Sequence, residues 1–554
     1  MYGCHFFLTG SLEKVFPLKQ PHAMKDGKTI VVFGGEVPSI QLVYFREKMP
    51  GVNAPVKNFC VALSGTPVEA RLRSVELVPA DFPAYETADD NYLSTEPGLF
   101  PDLLMPLTSN EIRFMPGQYR SVWIDFPGIT AADAGSYPVT IRISGKENEK
   151  QLDELHVTLL VLPVNMPEQK LIQTQWFHGD CLASYYHVQP LSEAHWKILD
   201  EFIKPMAGTY GINTILTPVF TPPLDTAVGA ERPTMQLVDI TFDKGRYSFG
   251  FDKLERWCAI CKKHGIRYLE IAHFFTQWGA KATPKIVAMV DGVEQKIFGW
   301  DVPGTDPRYR VFLEQFIPAL RRALEQYGYD KKHIFFHVSD EPQKDQLEDY
   351  KAAKKQIADL VEGSRIIDAL SDLEFYKEGV IEHPVTGNNH LGPFIEAKVP
   401  DLWTYYCCGQ SVNVPNRFFA MPSARNRAMG VLMYRYNITG FLQWGYNFYY
   451  SQYSKKLIDP FFDTGASRAF PAGDAFLVYP GDDGKPRSSI RGEVLREAME
   501  DMRILNLVEE KLGRDWALKI IHEDFPGEMS FEKYPLDPEY YVRLREKAAG
   551  ALGF

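Results

Sequence analysis

The sequence predicts a multidomain chain: an N-terminal antiparallel β-sandwich, then a (β/α)8 TIM-like barrel with a C-terminal helical segment. Three patterns carry this expectation. Short apolar runs punctuated by Gly, Pro and Asp fill residues 1–166. Beyond residue 170, strand-like and helix-like segments alternate six or more times, which favours parallel β/α architecture. From Ser489 the chain turns helical.

In the first region the runs Thr29-Ile-Val-Val-Phe33, Ile40-Gln-Leu-Val-Tyr-Phe45, residues 68–77, Tyr119-Arg-Ser-Val-Trp-Ile-Asp125, Tyr137-Pro-Val-Thr-Ile-Arg-Ile143 and Leu155-His-Val-Thr-Leu-Leu-Val161 read as strands. Several alternate apolar with polar residues, the pattern of half-buried strands in a sandwich. Leu162-Pro-Val-Asn-Met-Pro-Glu-Gln169 reads as a linker, because its two prolines disfavour both helix and central strand. The expected domains are therefore 1–166 and 167–554.

In the second region, strand segments are expected at 171–177, 214–217, 268–271, 334–338, 366–369, 380–381, 402–406 and 440–444, with Val431-Leu-Met433 either strand or helix. Helices are expected near 192–210, 254–264, 308–327 and 344–361. The length suits a closed barrel better than an open doubly wound sheet. Residues 491–511 carry apolar residues at helical spacing and read as a packing helix.

Composition excludes several function classes. The formal net charge is −11 and no run of Lys and Arg forms a basic patch, so a nucleic-acid partner is not expected. No stretch approaches the ~20 apolar residues of a membrane span, and the N-terminus lacks the layout of a secretory signal. Seven scattered cysteines suit free thiols in a reducing compartment, so a cytoplasmic location is expected. No glycine-rich phosphate cradle appears, and no cofactor is expected. Cys258 and Cys261 form a Cys-x-x-Cys, but inside an amphipathic helix without a second pair, which argues against zinc or redox work. His178, Asp180 and His273 match no closed metal-ligand set. The chain carries 28 Tyr, 36 Phe and 9 Trp, which serve either a large core or stacking against sugar rings.

The strongest local feature is His337-Val-Ser-Asp-Glu-Pro342, an apolar strand ending in two carboxylates and a proline. The C-terminal end of a barrel strand faces the active site, so Asp340 and Glu341 are placed for acid/base chemistry. Both reach one substrate only if the backbone curls at the strand end, since consecutive strand residues point to opposite faces. Burial of Glu341 beside an ionised Asp340 would keep the glutamate protonated as a general acid. The same tripeptide Asp-Glu-Pro also suits a plain helix start.

This hexapeptide resembles the catalytic strand of glycoside hydrolase family 123 and a related domain family of unknown function. Similar matches are Trp176-Phe-His-Gly-Asp180, Ile215-Leu-Thr-Pro-Val-Phe-Thr-Pro-Pro-Leu-Asp225, His273-Phe-Phe-Thr-Gln-Trp278, Gly440-Phe-Leu-Gln-Trp-Gly-Tyr-Asn-Phe-Tyr-Tyr450 and Phe470-Pro-Ala-Gly-Asp-Ala-Phe-Leu-Val-Tyr-Pro480. The resemblance implies a retaining exo-β-N-acetylhexosaminidase that prefers N-acetylgalactosamine. In it the substrate's 2-acetamido oxygen attacks C1, Asp340 orients that amide, and Glu341 protonates the leaving oxygen and then activates water. Such substrate-assisted schemes are an exception to the two-carboxylate rule.

Other candidates are the aromatic and polar residues near expected strand ends. Trp403, Tyr405, Tyr406 and Trp444 are candidate pocket walls, with Tyr405 or Tyr406 bonding the acetamido oxygen. His178, Asp180, His273, Gln277, Trp278, Asn388 and Asn389 are candidate readers of sugar hydroxyls, and Asp474 either binds a hydroxyl or forms a turn. The expected partner is a small glycan, with no membrane association and a homo-oligomer left open. Two rival readings stand beside this one. One is a conventional retaining glycosidase with Glu341 as acid/base and a distant nucleophile, which the lack of carboxylates over 402–447 disfavours. The other is a non-catalytic carbohydrate-binding protein, which the intact Asp340–Glu341 pair disfavours.

Overall fold

The structure is a computed structural model that describes residues 3–48, 57–107, 109–147 and 149–554. Chain contacts divide it into two compact units. The first comprises residues 1–169, 415–435 and 487–554; the second comprises 170–414 and 436–486.

The first unit holds two sheets. One runs in the order Cys4–Gly10, Ser39–Arg46, Arg120–Asp125, Arg71–Ala80, Gly98–Pro106. These strands pair antiparallel throughout. The other runs Lys28–Gly34, Gln151–Asn165, Gly135–Gly145, Asn58–Ser64, Glu111–Arg113. It is antiparallel except that Lys28–Gly34 runs parallel to Gln151–Asn165. The sheets bury one apolar core around Phe59, Val122, Ile124, Ile141 and Leu159. The expected linker at 162–169 is a linker only beyond Asn165. Pro163 lies inside the strand, where the pairing register shifts between Val161 and Asn165 and no ladder N–H is needed.

The C-terminal helices belong to this unit, whereas the sequence attached them to the barrel. Helix Ile490–Leu512 is not simply amphipathic: Arg491, Glu493, Arg496, Glu497, Glu500 and Asp501 are all buried. Their partners explain the burial. Arg73 bridges Glu493 and Asp125 at 2.6 Å each, and Arg491 pairs with Asp102 at 2.9 Å. Arg427, on helix Ser423–Arg435, engages Glu497 and Asp501. A charge buried this way is tolerated only when paired; Arg73, Asp102 and Arg427 lie more than fifty residues away in sequence, while Arg496 pairs within the helix with Glu493 and Glu500.

The second unit is a closed barrel of eight parallel strands: β1 (Ile172–Gln175), β2 (Thr214–Thr217), β3 (Tyr268–Ile271), β4 (Ile334–Phe336), β5 (Arg365–Ala369), β6 (His383–Gly387), β7 (Trp403–Tyr405) and β8 (Gly440–Gln443). β8 closes on β1, with Ile172 opposite Gly440. One expected strand shifts: the sixth is at 383–387 rather than 380–381. Residues 431–433, left as strand or helix, lie within helix Ser423–Arg435. The helices start where their caps dictate. Ser192 Oγ accepts from His195 N ahead of Glu193–Tyr210, and Asp306 accepts from Arg308 N with Pro307 at the first helical position of Pro307–Gln326. Helix Asp252–Lys263 buries both Cys258 and Cys261 in its packed face, so they act as core residues. The loops after β2 and β3 contribute a four-stranded sheet of Asp239–Asp243, Arg246–Gly250, Ile286–Val290 and Val293–Phe298. Among the described residues, no helix is long and apolar enough to cross a membrane.

The barrel interior is filled by Trp176, Leu216, Phe335, Ile367, Val385, Trp403 and Leu442. Gly440 opens β8 because the Trp403 indole lies on its backbone: a Cβ there would stand 2.0 Å from Trp403 Cδ2.

Candidate active site

The site grows from the C-terminal end of β4. The strand ends at Phe336, and the chain then curls. Ser339 Oγ donates to Thr276 O at 2.9 Å, Trp278 N donates to Asp340 O at 3.2 Å, and Glu341 N donates to Ala369 O at 3.1 Å. Glu341 adopts the left-handed region at φ +44°, a conformation costly for a side-chain-bearing residue and concentrated at functional sites. That turn supplies the curl the sequence required. Tyr405 OH donates to Glu341 Oε1 at 2.8 Å, which ties the acid pair to β7 across the barrel mouth.

Both acids are largely buried. Burial pushes the Asp340 carboxyl well above its ordinary value, and the charge of Glu341 pushes it further, with His337 opposing. Burial also raises Glu341, opposed by the Tyr405 hydrogen bond. Burial thus favours the protonated form of both carboxyls. The sequence expected Asp340 to stay ionised. The structure instead places it as the deeper and more strongly raised acid, because burial acts on both carboxyls.

Beneath the pair lies a charged cluster that sequence reasoning missed. His337 Nε2 meets Glu270 Oε1 at 2.6 Å, and its Nδ1 meets Asp368 Oδ1 at 3.0 Å. Glu270 also accepts from Thr174 Oγ1 at 2.5 Å and Trp176 Nε1 at 2.7 Å. Asp368 accepts from Tyr350 OH at 2.5 Å and from Val338 N. Burial by itself would lower the His337 pKa, but the bonds to Asp368 and Glu270 outweigh it and hold the imidazole up to about 9. His337 is thus held toward its imidazolium form by its two acidic partners, Asp368 and Glu270. The available signal was a lone acid inside each of two apolar strands, Tyr268-Leu-Glu-Ile271 and Ile366-Ile-Asp-Ala369.

His273 stacks on His337 and is buried, and neither of its ring nitrogens has a hydrogen-bond partner among the described residues. Burial, and then the His337 charge, push its pKa well below the usual value, so the ring is neutral. An orphaned polar group at this depth requires a partner from a ligand or water. His273, His337 and Asp368 lie close enough to hold a cation. Both His337 nitrogens are already committed to carboxylates, however, and its positive charge opposes a metal.

The structure separates the expected pocket residues into two groups. Tyr405, His273, Trp278 and Trp444 stand at the mouth or directly beneath it. Trp278 is half-buried at φ +59° and meets Tyr453 edge to face at 5.6 Å. Trp444 is half-buried, with Nε1 donating to Asp474 Oδ2 at 2.9 Å, so Asp474 fixes the indole rather than forming only a turn.

Several of the remaining candidates are held by partners within the fold. Tyr406, one residue from Tyr405, points to the other face and packs on Phe441, whereas Trp403 packs on Phe335 in the core, below Tyr405 on the same face. Asp180 engages Arg232 through both oxygens in a buried bidentate pair, at 2.7 and 2.8 Å. His178 is likewise committed, Nε2 to Trp444 O at 2.9 Å and Nδ1 to Arg232 Nη2 at 3.2 Å. Burial, then Arg232, lower its pKa to about 3. Gln277 accepts through Oε1 from Asp225 N, whereas Asn388 is buried beside Tyr405, to whose carbonyl oxygen its backbone N–H donates. Asn389 is exposed and accepts from Gln410 Nε2 at 3.1 Å. Asp225, a further residue the sequence did not single out, is raised by burial to about 6 although Tyr453 N bonds its carboxylate.

An eight-stranded parallel barrel with a buried acid pair at a strand's C-terminal end has the layout of a sugar-cleaving enzyme. The catalytic-domain model of glycoside hydrolase 123 matches residues 176–508. The chain belongs to that family and is a glycoside hydrolase. A solved family 123 glycoside hydrolase from Clostridium perfringens, described for glycolipid glycan hydrolysis, superposes with a TM-score of 0.74 at 16% identity, covering 99% of this chain and 98% of that one. More remote are a calcium-binding mutant of Bacteroides uniformis β-glucuronidase 2 (TM-score 0.28, 10% identity, 90% of this chain and 49% of that one) and a β-D-glucuronidase from Dictyoglomus thermophilum (TM-score 0.32, 9% identity, 85% and 69%). No curated protein sequence matches the chain.

Proposed function

We propose that this protein is a retaining exo-β-N-acetylhexosaminidase that prefers N-acetylgalactosamine and works through the substrate's own acetamido group. The observation that carries the reading is the adjacency of Asp340 and Glu341 at one barrel mouth, turned together by the left-handed Glu341 backbone. Adjacent acids cannot flank a sugar ring as an acid and a separate nucleophile would. One acid beside the acetamido group and one beside the leaving oxygen suits neighbouring-group attack.

In this scheme the acetamido carbonyl oxygen forms a bond to C1 as the glycosidic bond breaks, and the leaving oxygen takes the Glu341 proton. The amide N–H donates to Asp340 and stabilises its ionised form, which moves the shared proton of the pair onto Glu341. Water then adds to C1, opening the oxazolinium ring and returning a proton to Glu341. Tyr405 holds Glu341 in place, His337 stabilises negative charge on Asp340 from below, and the neutral His273 offers its nitrogens to a sugar hydroxyl. An amino-sugar-terminated glycan is the proposed substrate, in keeping with the glycolipid glycans of the Clostridium perfringens protein.

The test is hydrolysis of chromogenic β-GalNAc, β-GlcNAc, β-galactoside and β-glucoside by wild type and Glu341→Gln. Turnover of the acetamido sugars alone, lost in the variant, is expected. Turnover of the plain sugars would replace this scheme with a conventional nucleophile, and unchanged activity in the variant would remove Glu341 from the chemistry. A thiazoline analogue of the sugar is expected to inhibit.

A further inference from the structure

Strand β7 delivers Tyr405 to the barrel mouth, and the chain that leaves it carries two adjacent cysteines. Cys407 and Cys408 are thiols, each half-buried. They sit in a tight turn: Gln410 N donates to Cys407 O at 3.2 Å, and Cys407 N donates to Gln410 Oε1 at 2.8 Å. Cys408 and Gly409 are therefore the central residues of the turn. Gly409 is exposed, and a Cβ there would meet only the Cys407 sulfur, at 4.0 Å, so there is open space beside the pair. The two cysteine side chains hydrogen-bond to each other, and the Cys407 sulfur lies within electrostatic reach of Glu341 and Asp474.

The other thiols lack this combination. Cys181, Cys258 and Cys261 are buried, and Cys4 and Cys60 stand on strands of different sheets. Cys407 and Cys408 combine adjacency with access, which is what thiol–disulfide exchange requires. The bond from Cys408, and then burial, push the Cys407 thiol well above its ordinary value. At rest it is protonated and a poor nucleophile. Capture of Cys408 by an incoming disulfide removes the largest of those causes and releases Cys407 to attack.

We propose that Cys407 and Cys408 form a reversible oxidation site, which a small disulfide of the glutathione type closes into a vicinal disulfide, switching the enzyme off. The Cys408 thiolate attacks one sulfur of glutathione disulfide, whose S–S bond breaks, and one glutathione leaves. Cys407 then gives up its proton and attacks the Cys408 sulfur of the mixed disulfide, and the second glutathione leaves. Two protein thiols are oxidised, one disulfide is reduced to two thiols, and the two protons end on the glutathiones. Adjacent Cα atoms lie about 3.8 Å apart, closer than an unstrained disulfide spans, so the bond is readily reduced again. Ring closure twists the Cys407–Cys408 peptide against the Gln410 bonds. The distortion falls on the segment that carries Tyr405, whose hydroxyl holds Glu341. The oxidation itself stands apart from the glycosidase reading; its effect on rate rests on it.

The experiment incubates wild type and Cys408→Ser in glutathione buffers running from reduced to oxidised, and blocks the remaining thiols with N-ethylmaleimide. Mass spectrometry reads the peptide that contains both positions, and activity is followed in parallel on the chromogenic amino sugars. Wild type is expected to give a peptide lighter by two hydrogens and without maleimide. Its kcat/KM is expected to fall roughly tenfold or more, and dithiothreitol should restore it. Cys408→Ser is expected to keep its rate in the oxidised buffer. Separate glutathione adducts on the two cysteines, or a pair that stays fully alkylated, would overturn the site. A disulfide peptide with an unchanged rate, or an equal fall in Cys408→Ser, would overturn the switch. Failure of wild type on every amino sugar would instead remove the glycosidase specificity, and the mass of the peptide would still decide the oxidation.

Discussion

The rings of His273 and His337 lie face to face, centroids 4.0 Å apart and planes 15° from parallel. The two rings are pushed in opposite directions, His337 up and His273 down. His337 takes its charge from Glu270 and Asp368, and that charge together with burial keeps protons off His273. The acid pair sits above this cluster, so the state of His337 reaches Asp340 directly.

Stability should follow His337. Its folded pKa of about 9 lies above the ordinary 6.5, so the folded state binds more protons between those values. The contribution is fully present below about pH 6.5 and is lost as pH rises through 9. Thermal melts from pH 6 to 10 are expected to show Tm falling across the upper half of that range. His337→Ala leaves Glu270 and Asp368 buried without their shared cation, at a cost of about 3–5 kcal/mol, and should flatten the alkaline fall.

Tyr405→Phe removes the hydrogen bond that lowers Glu341. The Glu341 carboxyl then rises, and the limb of the pH–rate profile assigned to it should move to higher pH. Loss of positioning is expected to reduce kcat by roughly tenfold to a hundredfold with a smaller change in KM. An unmoved pH profile would mean that Tyr405 does not act through Glu341.

Arg232 pairs with Asp180 in the interior and also bonds His178. Arg232→Met should destabilise by about 3–5 kcal/mol because it strands the Asp180 carboxylate. The double variant with Asp180→Asn is expected to recover part of that loss, so a denaturant double-mutant cycle should show coupling of at least about 1 kcal/mol. Additive losses would refute the pairing.

Gly440→Ala forces a Cβ into the Trp403 indole. Overpacking of this kind costs about 1–3 kcal/mol or more. Adding Trp403→Leu should restore much of the loss, as read by thermal melting.

Much of this protein was legible without coordinates. The β-rich first region, the β/α alternation after it and the carboxylates ending an apolar strand follow from side-chain periodicity and from the chemistry of Asp340 and Glu341. The choice between Tyr405 and Tyr406 did not follow, because β7 is buried on both faces and its periodicity carries no inside or outside label. Nor did the commitments of His178 and Asp180, whose partner Arg232 lies more than fifty residues on. The His337 imidazolium was hidden for the same reason. Glu270 and Asp368 are single acids on strands beside β4, and only barrel closure brings them to one ring. The residue types that do chemistry are a property of the chain. Which of them are spent on one another, and which remain for a substrate, is decided by long-range packing, because burial makes each polar group find a partner at distances in sequence that local pattern does not encode.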